Sequence, residues 1–279
     1  MRLLVAGGDR VDAGKTTFSV GLLASLRRDG YAPLGFKPRA GNDYWFDHDD
    51  VRAAVGSGRL YGKDARKLAA ASAGDVDPET INPVHRLWRP TPGMTGLLGE
   101  SGRTFLVDRV TGEEGPEFVV NADAEADGLL PASVAESLPL ADARRVESVS
   151  EFNEVMRERY LPAAERLAQR VTATETTVVE SYADIAVPLS GVSFDAVAVV
   201  EPGRARVYDG ERYAKARDVA SGGPREGQLE EYVDSVVEMI EPLSTVHLQA
   251  LGGEARADPE AVADAYVGAY DALIDAAER

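Results

Sequence analysis

The sequence predicts an α/β fold: a mainly parallel sheet with helices on both faces and a hairpin-containing insertion. Three observations predict it. Residues 2–7 (RLLVAG) form a short apolar run of strand type, a glycine-rich loop follows, and residues 15–28 place Phe18, Leu22, Leu23 and Leu26 at helical spacing. Residues 32–37 (APLGFK) read as a second strand, so strand, loop, helix, strand opens a parallel βαβ unit. Further along, 176–180 (TTVVE) and 194–200 (FDAVAVV) read as buried strands.

The remaining elements follow in order. Gly30 ends the first helix. Residues 39–62, with the aromatic and acidic run RAGNDYWFDHDD, read as loop, and 63–73 as a helix. Residues 82–96 (NPVHRLWRPTPGMTG) read as a turn region rich in Pro and Gly. Residues 105–110 and 117–120 read as two strands around TGEEG, a hairpin. The polar, acidic stretch 121–146 reads as a surface excursion. A long helix is expected over 149–171, with Phe152, Val155, Met156, Tyr160, Ala163, Ala164 and Leu167 on one face. Residues 229–240 read as helix, 245–251 as strand and 259–277 as a closing helix. No internal repeat or low-complexity linker interrupts the chain. The expectation is one domain over 1–279, with an insertion at about 93–145.

Composition bounds the function classes. Hydrophobic residues make up 44% of the 279, enough for a substantial core, and no apolar run approaches the ~18 residues of a membrane span. The N-terminus, MRLLVAGGDR, lacks the long apolar region and small-residue cleavage site of a signal peptide, so a cytoplasmic location with no membrane partner is expected. The absence of cysteine excludes disulfides, thiolate metal sites and cysteine nucleophiles. Asp plus Glu is 47 against 30 Lys plus Arg, a net charge of −17. Lysine occurs only at Lys15, Lys37, Lys63, Lys67 and Lys215. Such a surface stays hydrated and self-repelling in concentrated salt, as in a halophilic protein. It is ill suited to holding nucleic-acid phosphates, so no nucleic-acid partner is expected.

The strongest motif is the loop Gly8, Asp9, Arg10, Val11, Asp12, Ala13, Gly14, Lys15, Thr16, Thr17. Phosphate binding needs several backbone N–H groups pointing into one concavity, and glycine lets the backbone come close. The following helix adds its N-terminal dipole. Lys15 would reach the terminal phosphates of a nucleotide, and the Thr16 hydroxyl a Mg²⁺ ion. Five residues separate Gly8 from Gly14, one more than in the usual P-loop.

That longer loop resembles the phosphate loop of dethiobiotin synthetase and its relatives, GTDTxVGKT. Residues 35–40 (GFKPRA) resemble the family's GYKPVA. Asp64 and Ala65, followed by a helix and then by Asn82 and Pro83, resemble its Asp-Ala helix and Asn-Pro turn. Residues 178–189 (VVESYADIAVPL) resemble the strand that ends VEGAGG and runs on to Pro-Leu. The resemblance covers residues 1–90 and about 150–200. It is to the dethiobiotin synthetase-like P-loop ATPases of the SIMIBI class, which include the cobyrinic acid amidases.

The resemblance implies ATP and Mg²⁺ as cofactors and a small-molecule acid or amine as substrate. It implies metal ligation by Thr16, Asp64 and Glu180. Lys37 falls where the family's lysine meets the γ-phosphate and the reacting group, and Asp12 matches an acidic loop residue that can meet an acceptor amine. Lys15, Lys37 and Asp12 form the implied catalytic set. Family members commonly pair, so a homodimer is implied. The expected activity is ATP-dependent phosphorylation of a carboxylate or carbamate, preparing amide or ring formation. The alternative is a regulatory P-loop ATPase whose nucleotide state controls an interaction surface built by 93–145.

The sequence also departs from the family. Arg10 and Val11 replace polar residues before the loop aspartate, Arg39 replaces an apolar residue and Gly41 a small polar one. Ser181, Tyr182, Ala183 and Asp184 replace the glycines after the strand-end glutamate. Among the remaining candidates, Asp43 to Asp50 reads as a mobile, solvated loop. His85 reads as a turn residue able to face a cleft, and His247 as structural on a buried strand. Tyr44, Trp45 and Trp88 read as an acceptor pocket or as core.

Overall fold

Leu3, Leu4, Val5 and Ala6 have no exposed surface in the computed structural model, which describes residues 1–8, 13–220 and 231–279. They belong to strand β1 (Arg2–Gly7), which leads through α1 (Lys15–Arg28) to β2 (Leu34–Phe36). There follow β3 (Arg39–Asp43), α2 (His48–Val55), α3 (Lys63–Ala71), α4 (Pro78–Ile81), β4 (Val84–Thr95), β5 (Ser101–Thr111) and β6 (Pro116–Asn121). Next come α5 (Ala122–Ala126), α6 (Ala132–Ser137), β7 (Arg144–Val146) and α7 (Val149–Val155), then a π-helical turn (Met156–Tyr160) and α8 (Leu161–Ala173). The chain continues through β8 (Thr177–Glu180), β9 (Ala196–Glu201), β10 (Arg204–Asp209), α9 (Gly210–Ala220) and α10 (Val233–Val237). It closes with β11 (Ser244–His247), α11 (Gly253–Ala257), α12 (Pro259–Ala265) and α13 (Val267–Ala277). Among the described residues, no helix is long and apolar enough to cross a membrane.

The fold is α/β with two mixed sheets, and the chain divides into two compact units. The first comprises Met1–Pro38, Lys67–Val76 and Ala168–Arg279. Its six-stranded sheet has the order β11-β10-β9-β1-β8-β2, with β2, β8, β1 and β9 parallel and the β9–β10 and β10–β11 pairs antiparallel. Parallel strands need both faces covered, which is why β1, β8 and β9 are nearly continuous apolar runs. The chain leaves β1 for β2 and returns to lay β8 between them, then places β9 on the other side of β1. Such a reversal opens a crevice at the carboxyl ends of the strands.

The second unit comprises Arg39–Arg66 and Asp77–Leu167. Its sheet has the order β3-β4-β5-β6-β7, parallel at both ends and antiparallel between. In β6, Phe118 and Val120 join one apolar cluster and Val119 another. Side chains alternate across a strand, so this sheet carries a core on each face.

Several expectations are corrected here. Residues 39–62 contain β3 and α2 rather than only loop, because an Asp43–Asp47 box forms the turn and Val51, Ala54 and Val55 supply a buried helical stripe. Residues 84–95 are a twelve-residue strand rather than a turn region. Pro90 and Pro92 are tolerated because β3 pairs with β4 only as far as Trp88, leaving that side of the strand open beyond it. The hairpin around TGEEG is present, but β5 and β6 lie inside a five-stranded sheet. Residues 121–146 are not merely a surface excursion, since Val134, Leu138, Leu140 and Val146 are buried. Helix 149–171 runs as expected except for its π-helical turn. The helix expected over 229–240 shortens to α10, with Leu229 and Glu230 outside the described residues, and the closing helix breaks at Tyr266.

Candidate functional site

Register alone brings three motifs together. Val5 of β1 pairs with Glu180, and Phe36 of β2 pairs with Val179, so Lys37, one residue past β2, comes level with Glu180 on the strand between. The loop after β1 ends at Gly14, whose φ of 85° lies in the left-handed region that glycine adopts without a Cβ penalty. Helix α1 then starts at Lys15, and its N-cap residue Gly14 has no side chain to cap the first turn.

The side chains converge on Glu180, which is fully buried. Its Oε1 accepts from Thr16 Oγ1 at 2.8 Å and from Lys37 Nζ at 2.5 Å. Lys37, 4% exposed, donates also to the Ser181 carbonyl at 3.1 Å. Glu180 Oε2 is buried and has no hydrogen-bond partner among the described residues. A buried, unpaired carboxylate oxygen costs several kcal/mol, roughly 1–3 or more, unless some donor or cation meets it. Lys15 Nζ donates to the Ala183 carbonyl at 2.5 Å.

Ala183 stands in the left-handed region, φ 45°. Its Cβ makes that conformation cost about 1–2 kcal/mol. The segment around it is pinned: Ser181 N donates to Val5 O at 2.9 Å, Ser181 Oγ to Ile185 O at 2.6 Å, and Val233 N to Asp184 O at 2.8 Å.

Beside α1 lies a cavity of about 440 Å³, whose lining includes Ala13, Gly14, Thr17, Glu201, Gly203 and Leu248. Glu201 ends β9 and receives Arg204 Nε at 2.7 Å, Arg204 Nη2 at 2.9 Å and Arg206 Nε at 2.9 Å. These contacts hold its pKa below the ordinary range despite the opposing effect of partial burial. A Cβ on Gly8 would meet Glu201 Cγ at 2.5 Å, so a larger residue there would displace the Glu201 side chain from its arginines.

The structure therefore brings together Lys15, Thr16, Lys37 and Glu180, sets Ala13, Gly14 and Thr17 along the cavity at the start of α1, and places Gly8 against the Glu201 side chain. Asp9, Arg10, Val11 and Asp12 lie outside the described residues. Asp64 occupies the first turn of α3, in the second unit. Among the described residues, no group of three or more His, Asp or Glu side chains forms a metal cluster, the Asp43–Asp50 run included.

Three other expectations change. His85 faces no cleft: it is fully buried in β4, pairs in register with Arg109, and has no partner for either ring nitrogen among the described residues. Burial first, then the Arg109 charge, pushes its pKa down to about 3. His247 is exposed on the edge strand β11 and borders the cavity. Trp45 is 75% exposed and so is not core, whereas Tyr44 and Trp88 pack on separate apolar clusters of the second unit.

Glu201, Arg204 and Arg206 escaped the sequence reading. One signal could have found them: Val199-Val200-Glu201 repeats the Val178-Val179-Glu180 pattern of an apolar strand closed by glutamate. These features define an α/β protein with a mostly parallel six-stranded sheet and a polar cluster at the carboxyl ends of its strands. No family model matches the chain, and no curated protein matches it.

Proposed function

We propose that this chain is an ATP-dependent, Mg²⁺-requiring enzyme of the P-loop class that phosphorylates a carboxylate or carbamate of a small molecule, as dethiobiotin synthetase-like ATPases do. The observation that carries the reading is the convergence of Lys15, Thr16, Lys37 and Glu180 at the carboxyl ends of β1, β2 and β8. Those residues come from three separated motifs, so their meeting is not a consequence of sequence proximity.

The parts divide as follows. The N–H groups at the start of α1 and the Lys15 ammonium suit the phosphates of a nucleotide. Lys37, held on Glu180, supplies a second compact cation where charge passes from nucleotide to acceptor. The residues also fit a hard divalent cation: the Thr16 hydroxyl touches Glu180 Oε1, and Oε2 is a buried oxygen with no hydrogen-bond partner among the described residues. Thr16 and Glu180 would hold it, and its chemistry would be to neutralise phosphate charge. Asp12 is the proposed group for orienting the acceptor. A homodimer and a cytoplasmic setting belong to the same reading.

The test is turnover of ATP in about 2 M KCl across a panel of small carboxylic acids and amines. Turnover that appears only with one such compound supports the reading. Rapid turnover with none of them replaces it by the regulatory class, in which nucleotide state governs a partner surface.

A further inference from the structure

We propose that the cavity beside Gly14 and Thr17 takes the ribonucleoside end of the bound triphosphate, and that Glu201 selects ribose by accepting a hydrogen bond from a sugar hydroxyl. This rests on the P-loop reading and adds to it the sugar specificity of the site.

Helix geometry sets the direction in which the nucleotide runs. Successive residues on a helix point about 100° apart. Thr16 faces Glu180 on the β8 side, while Thr17, one residue on, lines the cavity with residues that end β9 and follow β11. Terminal phosphates on the Glu180 side therefore place the nucleoside on the Thr17 side. The cavity, about 440 Å³, falls within the ordinary range for small-molecule pockets of about 300–1,000 Å³.

Glu201 is the carboxylate in the lining of that cavity, and its hydrogen-bond account is incomplete in one direction. An ionised carboxylate has about four acceptor sites, two per oxygen. Oε2 accepts from Arg204 Nε and Arg206 Nε, which uses both of its sites. Among the described residues, Oε1 accepts only from Arg204 Nη2, which leaves one of its sites. That same Oε1 lies on the phosphate-loop side, 3.1 Å from where a Cβ of Gly8 would stand. The two arginines fix the carboxylate rotamer and hold it ionised. The glycine removes the side chain that would cover the remaining acceptor. A hydroxyl attached to the sugar next to the α-phosphate meets these requirements, and a deoxy sugar does not.

The test measures equilibrium binding of ATP, 2′-deoxyATP, 3′-deoxyATP and inorganic tripolyphosphate to the full chain at high salt. We expect ATP to bind at least about tenfold more tightly than tripolyphosphate and than one of the two deoxynucleotides, the loss of a charge-assisted hydrogen bond. In Glu201→Met the ATP-to-deoxyATP ratio should fall to within about threefold of one, with tripolyphosphate affinity unchanged. Glu201→Gln, which keeps a neutral acceptor, should restore part of the ratio. Wild-type protein that binds ATP and both deoxynucleotides equally, while Lys15→Ala loses all of them, would overturn the Glu201 assignment and leave the P-loop reading standing. Wild-type protein that binds neither ATP nor tripolyphosphate would overturn both. The wild-type comparison decides the matter even if a Glu201 variant fails to fold.

Discussion

Removing the Lys37 ammonium should destabilise the first unit before it affects any chemistry. Lys37 Nζ lies 2.5 Å from Glu180 Oε1, with side-chain exposures of 5% and 0%. Among the described residues, Lys37→Met would leave the buried carboxylate held by the Thr16 hydroxyl alone. Breaking such a pair costs about 3–5 kcal/mol, because the remaining charge stays desolvated without compensation. At roughly 2–4 °C per kcal/mol for a domain of about 150–250 residues, the melting temperature should fall by on the order of 10 °C. Glu180→Gln alone should also destabilise, because the buried ammonium then faces a neutral amide in place of a carboxylate. The double variant should recover much of the loss, with a coupling of about 2 kcal/mol in the cycle. Denaturant melts of all four proteins at constant high salt measure it. Single variants that cost under about 1 kcal/mol, or losses that simply add, would refute the claim that this pair is buried and mutually dependent.

The two lysines of the site should differ in kind. Lys15→Ala should abolish nucleotide binding, whereas Lys37→Met should retain it and lower turnover by on the order of 10² or more; equal, mild effects on both quantities would count against the assignment. Ala183→Gly should raise stability by roughly 1 kcal/mol by relieving the left-handed backbone, and an unchanged denaturation midpoint would argue against that strain. His85 is neutral when folded, with its pKa pushed down to about 3, and takes up a proton below about 6.5 when unfolded. Its contribution is thus fully present above about 6.5 and declines as the pH drops towards 3, at up to about 1.4 kcal/mol per pH unit. Between pH 6.5 and 5, above the ordinary carboxylate range, His85→Leu should flatten the dependence, and an equal slope in both proteins would remove His85 as its source. The −17 charge should make the melting temperature rise between about 0.1 M and about 2 M KCl; an unchanged value would remove the high-salt reading.

Excising 97–145 should not leave an intact module behind. Residues 101–121 supply β5 and β6, the third and fourth strands of the five-stranded sheet, and Leu106, Val107, Phe118 and Val120 lie in its core. Loss of structure in the second unit is the expected result, read by circular dichroism. A fully folded truncated protein would show the sheet to be dispensable.

Local pattern determined much of the first unit. The strand 2–7, the helix 15–28 and the glutamate-ended strand at 177–180 follow from apolar runs, glycine punctuation and helical spacing, all of which act over a few residues. The same local signals marked Lys15, Thr16, Lys37 and Glu180 as candidates. What only the tertiary structure decided is pairing over long separations. Strand order sets β8 between β1 and β2, and that register brings Lys37 and Glu180, 143 residues apart, into contact. The second sheet was obscured because prolines and glycines in 84–95 carry turn signals that an open strand side overrides. His85 read as a turn residue for the same reason, since burial depends on the strands beside it and not on its neighbours in sequence. Glu201 needed both levels: its strand-end position is written in the sequence, but its remaining acceptor exists only because two arginines from the next strand and a glycine nearly two hundred residues earlier meet around one carboxylate.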